Sequence, residues 1–388
     1  MKFHTIFFIC FILFIFSVSN VNAIVDPLAV SNNKYGIHII DENDLYDAAN
    51  LVNSSGGDWG YVTMVISEND RVIEKWQKIM DLMRNLHLIP IIRIATHLNN
   101  DWWEKPKVEE IPEWVEFLSR LHWISKNRYI ILFNEPNHAK EWGNEINPTE
   151  YARILTLFSQ KLKSVSPDFY ILPAGLDASA PNGNVTMSEE IFLSKMIEAQ
   201  PDIFSYIDGW TSHSYPNPGF TGSVTDEGKG SIRTFKWEIE TLKSMNQKTD
   251  LPIFITETGW PHKEGLPFNN KYFYANQISQ NLKIAAETVW NDPRIVVVSP
   301  FVLNYQAYPF SNFSWKKVGG NEFYEFYDTY KQIPKIAGIP ELAKVFEKLD
   351  GLKINDVSEN NDNIKMRFPI SFFTYSYWRS LFYRLFKL

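Results

Sequence analysis

Cysteine is nearly absent: the 388 residues include one, Cys10. It lies in the first apolar run, so a chain processed beyond that run has no thiol, no disulfide and no cysteine-ligated metal. No His-Glu-x-x-His pattern occurs and the eight histidines are scattered, so neither a metal nor another cofactor is expected. A Gly-x-x-x-x-Gly-Lys phosphate loop and a Gly-x-Ser-x-Gly elbow are also missing. There is no long block of like charge and no fixed-period repeat, and the net charge of −7 argues against nucleic acid as a partner.

The chain is rich in apolar residues. At 45% hydrophobic and 21% charged it is globular and long enough to bury a large core. Residues 1–23 carry Lys2, an apolar run from Ile6 to Val18, and a small-residue site at Val21-Asn22-Ala23. They read as a secretory signal peptide cut after Ala23, with an uncleaved anchor as the alternative. The expected location is therefore secreted or cell-envelope associated.

Eight times a short β-rich run precedes a longer amphipathic segment. The runs are Tyr35 to Ile39, Tyr61 to Ile66, Ile89 to Thr96 and Tyr129 to Glu135, then Tyr170 to Asp177, Ile207 to Tyr215, Ile253 to Glu257 and Ile295 to Asn304. Between Asp70 and Leu86, the residues Val72, Trp76, Ile79, Met80 and Met83 share one face at helical spacing. Asn147-Pro148 reads as an N-cap with proline at the first helical position, opening a helix through Leu162. Asn270 to Trp290 and Ile339 to Leu349 read as further helices. Strand and helix repeated eight times imply parallel strands joined by right-handed crossovers. The expectation is an α/β fold, a (β/α)8 TIM barrel over residues 24–350. A doubly wound open sheet is disfavoured, because His38-Ile39-Ile40-Asp41 is no glycine-rich nucleotide loop. Residues 351–364 read as a polar linker. Residues 365–388 mix aromatic with basic side chains, a composition suited either to a membrane interface or to folding back on the barrel.

Two of the strand tips carry glutamates. Tyr129-Ile130-Ile131-Leu132-Phe133-Asn134-Glu135-Pro136 places Glu135 at the fourth tip, and Pro252-Ile253-Phe254-Ile255-Thr256-Glu257 places Glu257 at the seventh. In a barrel the carboxyl ends of strands converge on one face, so these residues would face each other. Two carboxyl groups across a cleft suit cleavage of a glycosidic bond: one gives a proton to the leaving oxygen, and the other attacks or activates water. Phe133 and Pro136 suggest an apolar setting around Glu135, suited to an acid. Arg93, buried in the third strand, needs a carboxylate partner, and this mouth offers two.

Asn134-Glu135-Pro136 and Thr256-Glu257-Thr258-Gly259-Trp260-Pro261 resemble signatures of the clan A glycoside hydrolases, which are retaining enzymes on (β/α)8 barrels. The strand-seven run is most similar to the β-1,3-glucanase type. The strand-six run Trp210-Thr211-Ser212-His213-Ser214-Tyr215-Pro216 is closer to the xylosidase and cellulase branches. The resemblance implies Glu135 as acid/base and Glu257 as nucleophile. It also implies that Asn134 bonds a sugar 2-hydroxyl, that Tyr215 donates to Glu257, and that His213 lines the same wall. In much of the clan the comparable arginine comes from strand two, not from strand three as Arg93 does. The eighth unit has Leu303-Asn304-Tyr305 where many members have a tryptophan.

The implied activity is retaining hydrolysis of a polysaccharide or oligosaccharide by a monomer, with a transglycosylase or a non-catalytic glycan-binding barrel as alternatives. Aromatic residues make up 15% of the chain, and flat rings stack on sugar faces. Trp59, Trp102, Trp103, Trp260, Tyr305 and Trp315 fall where a barrel mouth is expected, with Trp260 and Trp315 as the favoured platforms. His38 on the first strand and His97 after the third are further binding candidates. Asn53, Asn184 and Asn312 head glycosylation acceptor sequences.

Overall fold

A computed structural model describes residues 24–344. The expected signal peptide with Cys10, the 351–364 linker and the 365–388 tail lie outside the described residues. Strands β1 (Gly36–His38), β2 (Gly60–Ser67), β3 (Leu88–Ala95), β4 (Arg128–Leu132) and β5 (Phe169–Leu172) pair in chain order, all parallel. Strands β6 (Trp210–His213), β7 (Ile253–Glu257) and β8 (Ile295–Val298) form a second parallel sheet, also in chain order. The two sheets meet at two seams. Tyr35 bridges Val298 in parallel, and the Val298 amide donates to the Lys34 carbonyl at 2.8 Å. On the other side the Asp208 amide donates to the Ile171 carbonyl at 2.8 Å.

One helix follows each strand: α1 (Leu45–Val52), α2 (Ile73–Asn85), α3 (Ile111–Arg120), α4 (Pro148–Val165), α5 (Glu189–Ala199), α6 (Thr234–Ser244), α7 (Ala275–Thr288) and α8 (Glu325–Gln332). This is the expected (β/α)8 barrel. Among the described residues no helix is long and apolar enough to cross a membrane.

Alternation along the strands builds two cores. Ile92 and Ile94 of β3 turn outward against the helices, where Trp76, Ile79, Met80 and Met83 of α2 are also buried. Ile89 and Ile91 turn inward to meet Tyr61, Tyr129, Tyr170 and Phe254 inside the barrel. Two residues beyond Ile91 on that inner face comes Arg93. The Asn147 side chain caps α4 by accepting from the Glu150 amide at 3.0 Å, and Pro148 follows it as expected.

Several boundaries differ from the sequence expectation. The fifth run stops at Leu172 because Pro173 has no N–H to extend the ladder, and the eighth stops at Val298, two residues before Pro300. Val72 is exposed and precedes α2 instead of joining its buried face. The expected helix from Ile339 fails over its described part: 339–344 forms no helix, and Leu342 makes an antiparallel bridge to Ser125. Pro340 sits in that stretch. Of the acceptor asparagines, Asn184 is exposed, whereas Asn312 is buried and donates to the His262 carbonyl at 2.8 Å.

Candidate active site

The site is built on the carboxyl ends of β3, β4, β6 and β7. Glu257 is the last residue of β7, and a register shift after Ser212 sets His213 of β6 directly beside it. Arg93 reaches across from β3. Its Nη1 donates to Glu257 Oε1 at 2.6 Å and to Asn134 Oδ1 at 2.6 Å. The other oxygen of Glu257, Oε2, accepts from the Tyr215 hydroxyl at 3.1 Å. Both Arg93 and Glu257 are buried. Burial alone would raise the Glu257 pKa, but the charges of His213 and Arg93 outweigh it and hold the carboxyl at about 2. Glu257 is therefore an ionised, oriented carboxylate.

Glu135 reaches the same space by a turn that strand periodicity does not foresee. Continued alternation from Tyr129 and Ile131 would point Phe133 inward and Asn134 outward. Phe133 instead takes φ 72° and Glu135 φ 29°, left-handed values uncommon outside glycine. The turn sends the Phe133 ring outward, edge-on to Trp142 and Phe158 at 5.6 Å each, and brings Asn134 inward to Arg93. Surrounding contacts hold this conformation: the Glu135 amide donates to the Gly175 carbonyl at 3.1 Å, and the His138 amide donates to the Glu135 carbonyl at 2.8 Å.

The expected apolar setting of Glu135 is thus corrected. Phe133 has turned away, and Glu135 Oε1 lies 2.7 Å from His213 Nδ1. His213 Nδ1 is also 3.9 Å from Glu257 Oε2. Burial lowers the His213 pKa, but Glu257 and Glu135 outweigh that and leave it raised, so the ring sits as an imidazolium between the two glutamate side chains. Gly175 makes room for this ring, since a Cβ there would lie 2.3 Å from His213 Cδ2.

One ligand atom each from Glu135, His213 and Glu257 falls within a 4.8 Å span. A cation bound there would compete with Arg93 and Tyr215, which already satisfy both oxygens of Glu257.

The remaining sequence candidates divide. His38, at the end of β1, is fully buried and edge-on to Phe301 at 5.1 Å. Burial, with Arg93 adding to it, pushes its pKa down to about 3, so it stays neutral behind Arg93 and Glu257 and presents no surface to a sugar. Trp260 is buried, with its indole N–H on the Gly222 carbonyl at 3.0 Å. Trp315 packs edge-on to Phe326 and Tyr330 in the main core. Both expected platforms are packing residues. Trp59 precedes β2 and stacks on His87 at 4.4 Å, at the opposite end of the barrel. Trp103 does reach the mouth, in an aromatic cluster with Tyr215, Phe301 and Tyr305.

Sequence reasoning passed over Glu141. It ends the turn Ala139–Glu141 in the loop after β4, and it faces Glu135, Arg93 and Asn134. The available signal was a second carboxylate six residues after Glu135 in the same mouth-forming loop.

No protein-family model matches the sequence, and no curated protein matches it. Solved structures do share its architecture. A monomeric β-xylosidase from Caulobacter crescentus CB15 superposes with a TM-score of 0.54 at 13% identity, over 78% of this chain and 68% of that one. A family 39 glycoside hydrolase from the gut symbiont Bacteroides cellulosilyticus WH2 gives 0.52 at 16% identity, over 80% and 65%. A glucosidase from Croceicoccus marinus gives 0.54 at 11%, over 74% and 61%. The latter two are matched over less than two thirds of their length. The shared feature is the fold. It is the barrel on which these glycoside hydrolases are built, as the strand-tip motifs led one to expect.

Proposed function

We propose that this protein is a retaining glycosidase acting on a β-linked glycan. The observation that carries the reading is Glu257, ionised with a donor on each oxygen, facing Glu135 with one oxygen of each carboxyl within 4.8 Å. That close approach is nearer to the about 5 to 5.5 Å of a nucleophile and an acid flanking one bond than to the about 6.5 to 9.5 Å of a water-admitting pair. The likeness in fold to a β-xylosidase and a glucosidase points to the same class of substrate.

In the first step a Glu257 oxygen bonds to the anomeric carbon as the glycosidic C–O bond breaks, and Glu135 gives its proton to the departing oxygen. That proton is shared with His213 Nδ1, 2.7 Å from Glu135 Oε1. In the second step Glu135 takes a proton from water, the water oxygen bonds to the anomeric carbon, and Glu257 is released. Asn134, fixed by Arg93, is placed to bond the 2-hydroxyl, a contact that strengthens in the transition state. A sugar taking the place of water would make the same site a transglycosylase.

The test is Glu257→Gly. Turnover of an activated aryl β-glycoside should fall on the order of 10⁴- to 10⁶-fold, and azide should restore part of it as a glycosyl azide. Retained activity without azide would overturn the nucleophile assignment.

A further inference from the structure

Beside Asn134, a shallow solvent-open cleft lies between the end of β3 and the turn Ala139–Glu141. Arg93 and Asn134 border it on the catalytic side, Val65 and Ala95 give it apolar walls, and Trp103 adds an aromatic surface. Glu141 contributes the one carboxyl group of its lining. Apolar and aromatic walls with a few convergent polar groups suit a sugar ring. Nothing in the double displacement uses Glu141, which raises the question of what a third carboxyl does there.

We propose that Glu141 is a specificity-determining residue, accepting a hydrogen bond from a hydroxyl of the bound sugar and excluding sugars that carry a carboxylate. This deepens the glycosidase reading and rests on it. The physical basis is the price of crowding charge: a uronic acid in this cavity would set its carboxylate against Glu141 with Glu135 and Glu257 nearby. A neutral sugar hydroxyl supplies a donor instead.

The groups facing Glu141 are Glu135 on the same loop, Arg93 from β3, Asn134 at the strand end and His138 on its own turn. Burial, then the charge of Glu135, pushes its pKa up to about 7, against the opposing effects of Arg93, Asn134 and His138. The carboxyl is therefore protonated below that pH and charged above it, so exclusion of uronides should steepen as pH rises through about 7. A merely structural carboxyl would give no such substrate-dependent profile.

The experiment compares kcat/KM for paired aryl β-glycosides, glucoside with glucuronide and galactoside with galacturonide, in the wild type, Glu141→Gln and Glu141→Ala between pH 5.5 and 8.5. The wild type should prefer the neutral partner by about 100-fold at pH 8 and less at pH 6. Both variants should narrow the gap by about 10-fold and flatten its pH dependence. Equal losses on both members of a pair, or an unchanged gap, would overturn the proposal. If no aryl glycoside turns over, the glycosidase reading fails on its own, and competition of glucose against glucuronate by saturation-transfer NMR decides on Glu141. Weaker discrimination in Glu141→Gln than in the wild type supports the assignment; equal discrimination refutes it.

Discussion

The two ends of the barrel bury polar side chains in opposite ways. At the amino end, Tyr61, Tyr129 and Tyr170 crowd together with Phe254; burial raises all three phenols, so the layer stays neutral. Each hydroxyl has a partner: Tyr61 donates to Asn32 at 2.7 Å, Tyr170 donates to the Asp208 carbonyl at 2.8 Å, and Asn127 donates to Tyr129 at 3.2 Å. This end is also closed over. The Val25 amide donates to Asn127 at 3.1 Å, and the Ala343 amide donates to the Ile124 carbonyl at 2.9 Å, so both ends of the described chain dock on one short segment. At the carboxyl end of the barrel, Arg93, His213 and Glu257 are also buried yet charged. Burying ions is unfavourable unless each finds a partner. Here they partner one another, in an arrangement that chemistry needs and packing does not. On the proposed reading, one end of the barrel serves stability and the other reaction.

Breaking the mouth should cost activity first. Glu135→Ala is expected to lower kcat/KM by about 10² to 10⁴ on glycosides with poor leaving groups and far less on activated aryl glycosides, because only the former need a proton. Steady-state kinetics over a series of leaving groups checks this; equal losses would count against the acid/base role.

An intermediate effect is expected on stability against pH. The His213 pKa is raised in the fold, so its contribution is complete below its ordinary value of 6.5 and is lost as pH rises through the folded value. Glu257 is depressed to about 2, so its contribution is complete above its ordinary 4.5 and is lost as pH falls toward 2. The ion cluster stabilises most between those ordinary values. Thermal melts should show the wild type losing Tm on the alkaline side of that window, with His213→Gln flattening the loss.

The smallest effect sharpens the contrast. Tyr170→Phe removes a donor from the Asp208 carbonyl at the neutral end. It should cost about 1 kcal/mol in denaturant unfolding and leave kcat unchanged. A large loss of activity would contradict the division between the two ends.

Much of this was legible because strand tips leave marks. Apolar runs closed by Glu135-Pro136 and Glu257 gave the architecture, and the lone arginine within Ile91-Ile92-Arg93-Ile94 could be reasoned to need a carboxylate. Alternation predicts which face a residue takes only while the strand persists. It could not show the left-handed turn at Phe133, where no glycine flags a positive φ, nor that this turn puts His213 beside Glu135. Trp260 and Trp315 were misjudged for a related reason: nearness to a strand tip does not say whether an indole faces the cleft or the helices, and packing claimed both. Glu141 was missed because a loop carboxylate becomes notable only once Arg93, Asn134 and Glu135 are seen around it.

The central claim is that Glu257 and Glu135 act as nucleophile and acid across one short gap. Proton NMR of the first-formed product from an aryl β-glycoside tests it most directly. The close carboxyl pair predicts that the β-anomer of the free sugar appears first and then mutarotates. The α-anomer appearing first would mean single-step inversion and would contradict the account.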